Sequence, residues 1–179
     1  MPVQIGARPD SGFDDPIGML KDCHRRIEHF IHVLCQVAQR AQGRALTCEE
    51  WAAVEGALRY FRESGPRHNR DEEESVFPRL RAMGAAAPAA EMDRLEGEHH
   101  EAEGMHAETV RLYAKWHAGH GLPQDEEQRL IAVTGRLQKL YVEHIRLEEE
   151  DVFPRAARAL DAATMETIGQ EFKARRAKE

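Results

Sequence analysis

The sequence predicts an all-α protein, an antiparallel up-down-up-down four-helix bundle followed by a short C-terminal fifth helix. Three observations lead there. Charged residues make up 32% of the chain and aromatic residues only 6%, a balance that favours helices over sheets. Apolar residues recur at alternating steps of three and four along four long segments, the period of a helix face. The connections between those segments are short and carry Gly or Pro, which favours antiparallel neighbours.

Residues 1–13 read as a flexible tail, 14–160 as the bundle, and 161–179 as a short helix with its tail. Asp15-Pro16 starts the first helix, with Asp as N-cap and Pro at the first helical position. Its stripe runs Ile17, Leu20, His24, Ile27, Ile31, Leu34 and Ala38, and Gly43 ends it. Thr47 and Glu50 form a capping box for the second helix. That stripe runs Trp51, Val54, Leu58, Phe61, Gly65, His68, Glu72, Val76 and Leu80, closed by Gly84. Pro88 begins the third helix, with Met92, Leu95, His99, Ala102, His106, Val110 and Tyr113 on one face. Asp125 and Gln128 cap the fourth, whose stripe is Leu130, Val133, Leu137, Tyr141, His144, Glu148 and Val152. The fifth helix spans roughly 162–175, after Asp161.

Composition narrows the function classes. At 179 residues the chain can bury a core as one domain. The net charge of −7 argues against a nucleic-acid or anionic-membrane partner. No apolar run approaches the ~20 residues of a membrane span, and MPVQIGARPDSGFDD has no secretory h-region. Cys23, Cys35 and Cys48 lack metal-motif spacing and fit reduced thiols in a cytoplasm.

The polar residues inside the stripes carry the chemistry. HNRDEEESVFPR at 68–79 returns as HIRLEEEDVFPR at 144–155. His24 with Glu28 is echoed by His99 with Glu103. His24 and His99 are 75 residues apart, and His68 and His144 are 76 apart. The chain therefore reads as two helical hairpins, each offering one His from its first helix and His-x3-Glu from its second. In an antiparallel bundle these residues meet at one level. Residues four apart share a helix face, so His68/Glu72 and His144/Glu148 can each present an imidazole and a carboxylate to one point. Buried carboxylates need a cation or hydrogen-bond partners. Mixed imidazole and carboxylate ligands suit iron, manganese or zinc, and the absence of thiolates argues against soft-metal sites. Two carboxylates and four imidazoles allow a dinuclear centre, bridged by both Glu and an oxo or hydroxo group, with room for a small ligand.

With His24, His68-x3-Glu72 before Ser-Val-Phe-Pro, Glu-His99, and His144-x3-Glu148 before Val-Phe-Pro, the chain resembles the hemerythrin-like, HHE cation-binding domain family over about residues 14–160. The resemblance implies a non-haem di-iron centre with His24, His68, Glu72, His99, His144 and Glu148 as ligands. It also implies binding of O2, NO or a peroxide ligand in sensing, storage or iron and redox homeostasis. Turnover of peroxide or an oxidase activity is the alternative, and an iron-responsive module read by a protein partner is a third. The O2-carrying members place a second histidine four residues after the first on the third helix. Here that position is Glu103, and His106 lies seven residues on. The ligand set is then richer in carboxylate, or His106 substitutes.

Other residues have plainer expectations. Glu28, Glu103, His106 and Tyr141 are candidates for additional ligation or for support around the metals. Glu73, Glu74, Glu149 and Glu150 read as a solvated acidic face, and His29, His32, His117 and His120 as surface. Pro78 and Pro154 cannot donate to the carbonyls four residues back, so both helices are expected to bend there. Phe77 and Phe153 would then close the bundle end.

Overall fold

The computed structural model describes residues 10–83 and 89–177. Of the expected tail at 1–13, residues 1–9 lie outside the described residues, as do the Gly84 stop and the Pro88 start. The described residues are helical apart from short caps and connections, with no strand among them. The first helix, α1 (Pro16–Arg40), starts as the sequence indicates: Asp15 Oδ1 accepts from the Gly18 N–H at 2.9 Å, with Pro16 following. It ends before Gly43, whose φ of +73° lets the chain reverse. The capping box at Thr47 opens α2 (Cys48–Glu63) with both reciprocal bonds made.

A second long rod follows from α2, but it is not one α-helix. It breaks at Ser64, resumes as α3 (Gly65–Asp71) with Pro66 in the first turn, and then widens into a π turn at Glu72–Val76. Helix α4 (Phe77–Ala82) continues from it. The same sequence of events recurs later. Helix α5 (Ala89–Gly119) leads to α6 (Gln124–Leu147), a second π turn at Glu148–Val152, and α7 (Phe153–Ala159). Helix α8 (Ala162–Arg176) is capped by Asp161, which accepts from the Thr164 N–H at 2.8 Å.

A π turn precedes each of Pro78 and Pro154. The Phe77 N–H bonds the Glu72 carbonyl, and the Phe153 N–H bonds that of Glu148, each five residues back. Pro78 and Pro154 then fall in the first turn of α4 and α7, where a missing N–H costs least, and the rod continues.

Helix α1 packs against α6 and α2, and α5 packs against the same two. The apolar interior falls into two clusters. One contains Ile27, Leu34, Phe61, Ala102, Leu112, Trp116 and Leu137. The other contains Leu20, Val76, Phe77, Leu95, Phe153, Ile168 and Phe172. On each rod the histidines and glutamates of interest fall at the boundary between one cluster and the other, so a polar layer separates them.

Two elements depart from expectation. The α6 N-cap is Pro123, not Asp125, and no side chain caps it; Asp125 lies inside the first turn with Glu126 and Glu127, where negative charge favours the helix dipole. Val110 is exposed, because the buried face of α5 passes through Met105, Thr109, Leu112, Tyr113 and Trp116. At the other end of the chain, Ser11 donates its N–H to Asp22 at 2.5 Å, and Phe13 packs against the second apolar cluster.

Candidate metal centre

Six side chains from the four rods meet in the polar layer. His24, His68, Glu72, His99, His144 and Glu148 are all at most 5% exposed. Their ligand atoms form two overlapping groups of four. One is His24, His68, Glu72 and Glu148; the other is Glu72, His99, His144 and Glu148.

The carboxylates turn one oxygen to each group. Glu72 Oε1 lies 3.5 Å from His68 Nε2 and 3.9 Å from His24 Nε2, while its Oε2 lies 3.4 Å from His99 Nε2. Glu148 Oε2 lies 3.0 Å from His24 Nε2, and its Oε1 lies 3.3 Å from His144 Nε2.

The residues fit a cation on hydrogen-bonding grounds. Both oxygens of Glu72, both of Glu148 and Nε2 of His24 are buried without a hydrogen-bond partner. Buried polar groups are rarely left so, and leaving an ionised carboxylate so is expensive. His99 Nε2 and His144 Nε2 face each other at 3.1 Å. Each ring presents its Nδ1 to a carboxylate, Glu73 at 2.7 Å and Glu98 at 2.8 Å. A carboxylate only accepts, so Nδ1 carries the proton of each neutral ring and both Nε2 lone pairs point inward. Such a contact needs positive charge, either a proton or a metal ion.

Protonation without metal shows the same demand. Burial and the Glu148 charge push the Glu72 carboxyl well above the usual range. Burial would raise Glu148 too, but His144 and His24 outweigh it and hold Glu148 well below that range. Burial works against the charged form of His144, yet Glu148 and Glu98 lift it to about 9. His68, buried among His24, His99 and His144, is pushed well down by burial and by those rings, against the pull of Glu148. The layer thus recruits protons where metal would otherwise sit.

Three glutamates orient the imidazoles. Glu149 holds His24 Nδ1 at 2.9 Å, Glu73 holds His99 and Glu98 holds His144. This corrects the solvated reading of Glu73 and Glu149, whose side chains are 34% and 37% exposed and reach inward. They occupy the same slot of the repeated phrase, and that symmetry was the available signal. Glu98 had only its place beside His99. Phe153 stacks on the His24 ring with centroids 5.4 Å apart.

The four supporting candidates separate. Glu28 is exposed and in neither group. Glu103 is 67% exposed and pairs with His100 at 3.5 Å, so it does not stand where a second helix-three ligand would. His106 does not replace it: its Nε2 bonds the Tyr141 hydroxyl at 2.8 Å, and its ring lies 4.2 Å from that of Phe61. Burial pushes His106 down to about 4 and raises the Tyr141 phenol far above neutrality. Both line a cavity of about 180 Å³ that reaches from the exposed Pro66 and Glu103 inward to His99. His29, His32, His117 and His120 are exposed, as expected. No helix among the described residues is long and apolar enough to cross a membrane.

The helical fold and its layer of imidazoles and carboxylates define a cation-binding helical protein. The model of the hemerythrin HHE cation binding domain matches residues 15–156, and the chain belongs to that family. No curated protein and no solved structure matches the chain.

Proposed function

We propose that this protein holds two non-haem iron ions in an antiparallel up-down-up-down four-helix bundle and binds a small diatomic or peroxide ligand beside them. His24 and His68 serve one ion and His99 and His144 the other. Glu72 and Glu148 are shared, and manganese or zinc suits the same ligands. The observation that carries the reading is the pair of four-ligand groups with Glu72 and Glu148 in common. Bound iron would supply reversible binding of O2 or NO, or electron exchange with them. The chain supplies the rest. Glu73, Glu98 and Glu149 fix three imidazoles with Nε2 inward, the apolar clusters on either side keep bulk water from the layer, and the cavity beside His99 admits a small molecule.

Metal analysis of the protein purified from its native host tests this, together with titration of the metal-free chain by ferrous iron under anaerobic conditions. Two ions per chain are expected. Well under one per chain in both measurements would refute the reading.

The His106–Tyr141 pair favours a second reading, turnover of peroxide. Burial keeps the Tyr141 phenol protonated, so its hydroxyl can offer a hydrogen bond to a ligand in the cavity that reaches His99. Reduced protein exposed to O2 separates the two: a spectrum that reverses on deoxygenation supports binding. Sustained peroxide consumption that falls in Tyr141→Phe supports turnover.

A further inference from the structure

The two copies of the histidine–acid phrase differ at three positions: Asn69 against Ile145, Asp71 against Leu147, and Ser75 against Asp151. Two of these, Asp71 and Ser75, meet the same element, α8. Arg175 donates from Nη1 to Asp71 Oδ1 at 2.8 Å, from Nη2 to Ser75 Oγ at 2.7 Å, and from Nε to Glu74 Oε2 at 3.0 Å. Arg176 donates from Nη2 to Asp71 Oδ2 at 2.7 Å. Asp71 is fully buried, and each of its oxygens is taken by a different guanidinium. It directly precedes Glu72, and Glu74 and Ser75 lie inside the π turn that begins there.

Helix α8 is also fixed from below and behind. Ile168 and Phe172 sit in one apolar cluster with Val76, Phe77 and Phe153. A Cβ on Gly169 would come within 1.9 Å of the Phe13 carbonyl, so the α8 backbone lies directly on the chain at residue 13. All of α8 falls outside the residues matched by the family, 15–156.

We infer that Asp71, Arg175 and Arg176 are positioning residues for Glu72, and that the C-terminal helix thereby sets how tightly this chain holds its cations. The inference rests on the metal-binding reading above. A π turn departs from the favoured α geometry and persists where its surroundings hold it. Glu72 must aim Oε1 at His24 and His68 and Oε2 at His99, so slippage of its backbone loses both halves at once. The second π turn is secured differently. Arg155, on its own rod, bonds Asp151 at 2.5 Å and reaches Glu91 at 2.9 Å, without α8. The two shared carboxylates thus have unlike polar supports: among the described residues, the ion pairs made by α8 go to the rod that carries Glu72. A guanidinium fork serves several acceptors at fixed angles, which a lysine ammonium does not reproduce.

The test titrates the metal-free full chain with zinc against a competing chelator, alongside urea unfolding of the same metal-free samples and the absorption spectrum of the cobalt-loaded form. Asp71→Asn and the double variant Arg175→Lys/Arg176→Lys are expected to weaken zinc binding about tenfold or more, the scale of lost ligand support, and to alter the cobalt spectrum. Ile168→Val loosens α8 packing without touching the clamp. It is expected to lower metal-free stability while leaving affinity and spectrum unchanged. Wild-type zinc affinity and an unaltered spectrum in Asp71→Asn overturn the inference, and that variant decides if the double variant fails to fold. Failure of the wild-type chain to take up zinc overturns the metal reading itself, and this inference with it.

Discussion

Replacing Glu98 by alanine is expected to weaken cation binding without unfolding the protein. Glu98 Oε2 accepts from His144 Nδ1 at 2.8 Å, and its Oε1 accepts from Arg94 Nε at 2.7 Å, one helical turn away. Partial burial opposes its charge, but His144 and Arg94 hold its pKa below the usual carboxylate range, so it is ionised. In Glu98→Ala the His144 ring loses the bond that fixes its rotation and places its proton. Loss of such a partner typically lowers metal affinity by 10- to 100-fold. Because the Glu98 side chain keeps 18% exposure, water compensates in part, and about ten- to thirtyfold is expected. Arg94 is 53% exposed and meets the site through Glu98, so Arg94→Ala should change affinity by less than about threefold. Titration of metal-free protein with zinc against a chelator, at neutral pH and fixed salt, measures both. Equal affinities for Glu98→Ala and wild type would refute the reasoning, as would an equal loss in both variants.

Acid should destabilise the metal-free chain through His106. Its folded pKa of about 4 lies below the ordinary 6.5. The unfolded chain therefore binds the extra proton first, so the contribution is complete above about 6.5 and is lost as pH falls toward 4. The total is roughly 3 kcal/mol, read by urea unfolding of wild type and His106→Gln across that range; parallel curves would contradict it. Phe153→Ala should cost about 3–5 kcal/mol by leaving a cavity, measured by thermal unfolding, and should also weaken metal binding by freeing the His24 ring. Thr47→Ala removes one arm of a capping box far from the polar layer, and is expected to lower stability by about 1 kcal/mol with zinc affinity unchanged.

The stripes exposed most of this in the sequence because a polar residue at a core position breaks a period that is otherwise apolar. His24, His68, Glu72, His99, His144 and Glu148 were legible on that ground, and so were the helix starts at Asp15, Thr47 and Asp161. What stayed hidden depended on geometry outside an ideal helix or on contacts distant in sequence. A wheel of 3.6 residues per turn sends Glu73 and Glu149 to solvent, whereas the π turn and a long side chain bring each to a histidine of the other hairpin. Val110 is a pattern error of one step: Thr109, a buried polar residue, hydroxyl-bonded to the Met105 carbonyl at 2.8 Å, occupies the face that an apolar count assigns to its neighbour. The Asp125 cap failed because a Pro two residues earlier already fixes the backbone at the helix start. The partners of Asp71 lie more than a hundred residues downstream, and no local pattern announces them.

A π turn holds one residue more than the α turn it replaces, and this sets a register for everything that follows. Wound as one unbroken α-helix, the same residues would carry Phe77 and Leu80 round by about 100°, out of the core they now fill. The two turns therefore work as length adjusters: upstream of each, the helix is phased for imidazole and carboxylate; downstream, it is phased for apolar packing. A single unbroken helix satisfies one of those phases at a time. The doubled phrase is the sequence form of that compromise, written once into each hairpin.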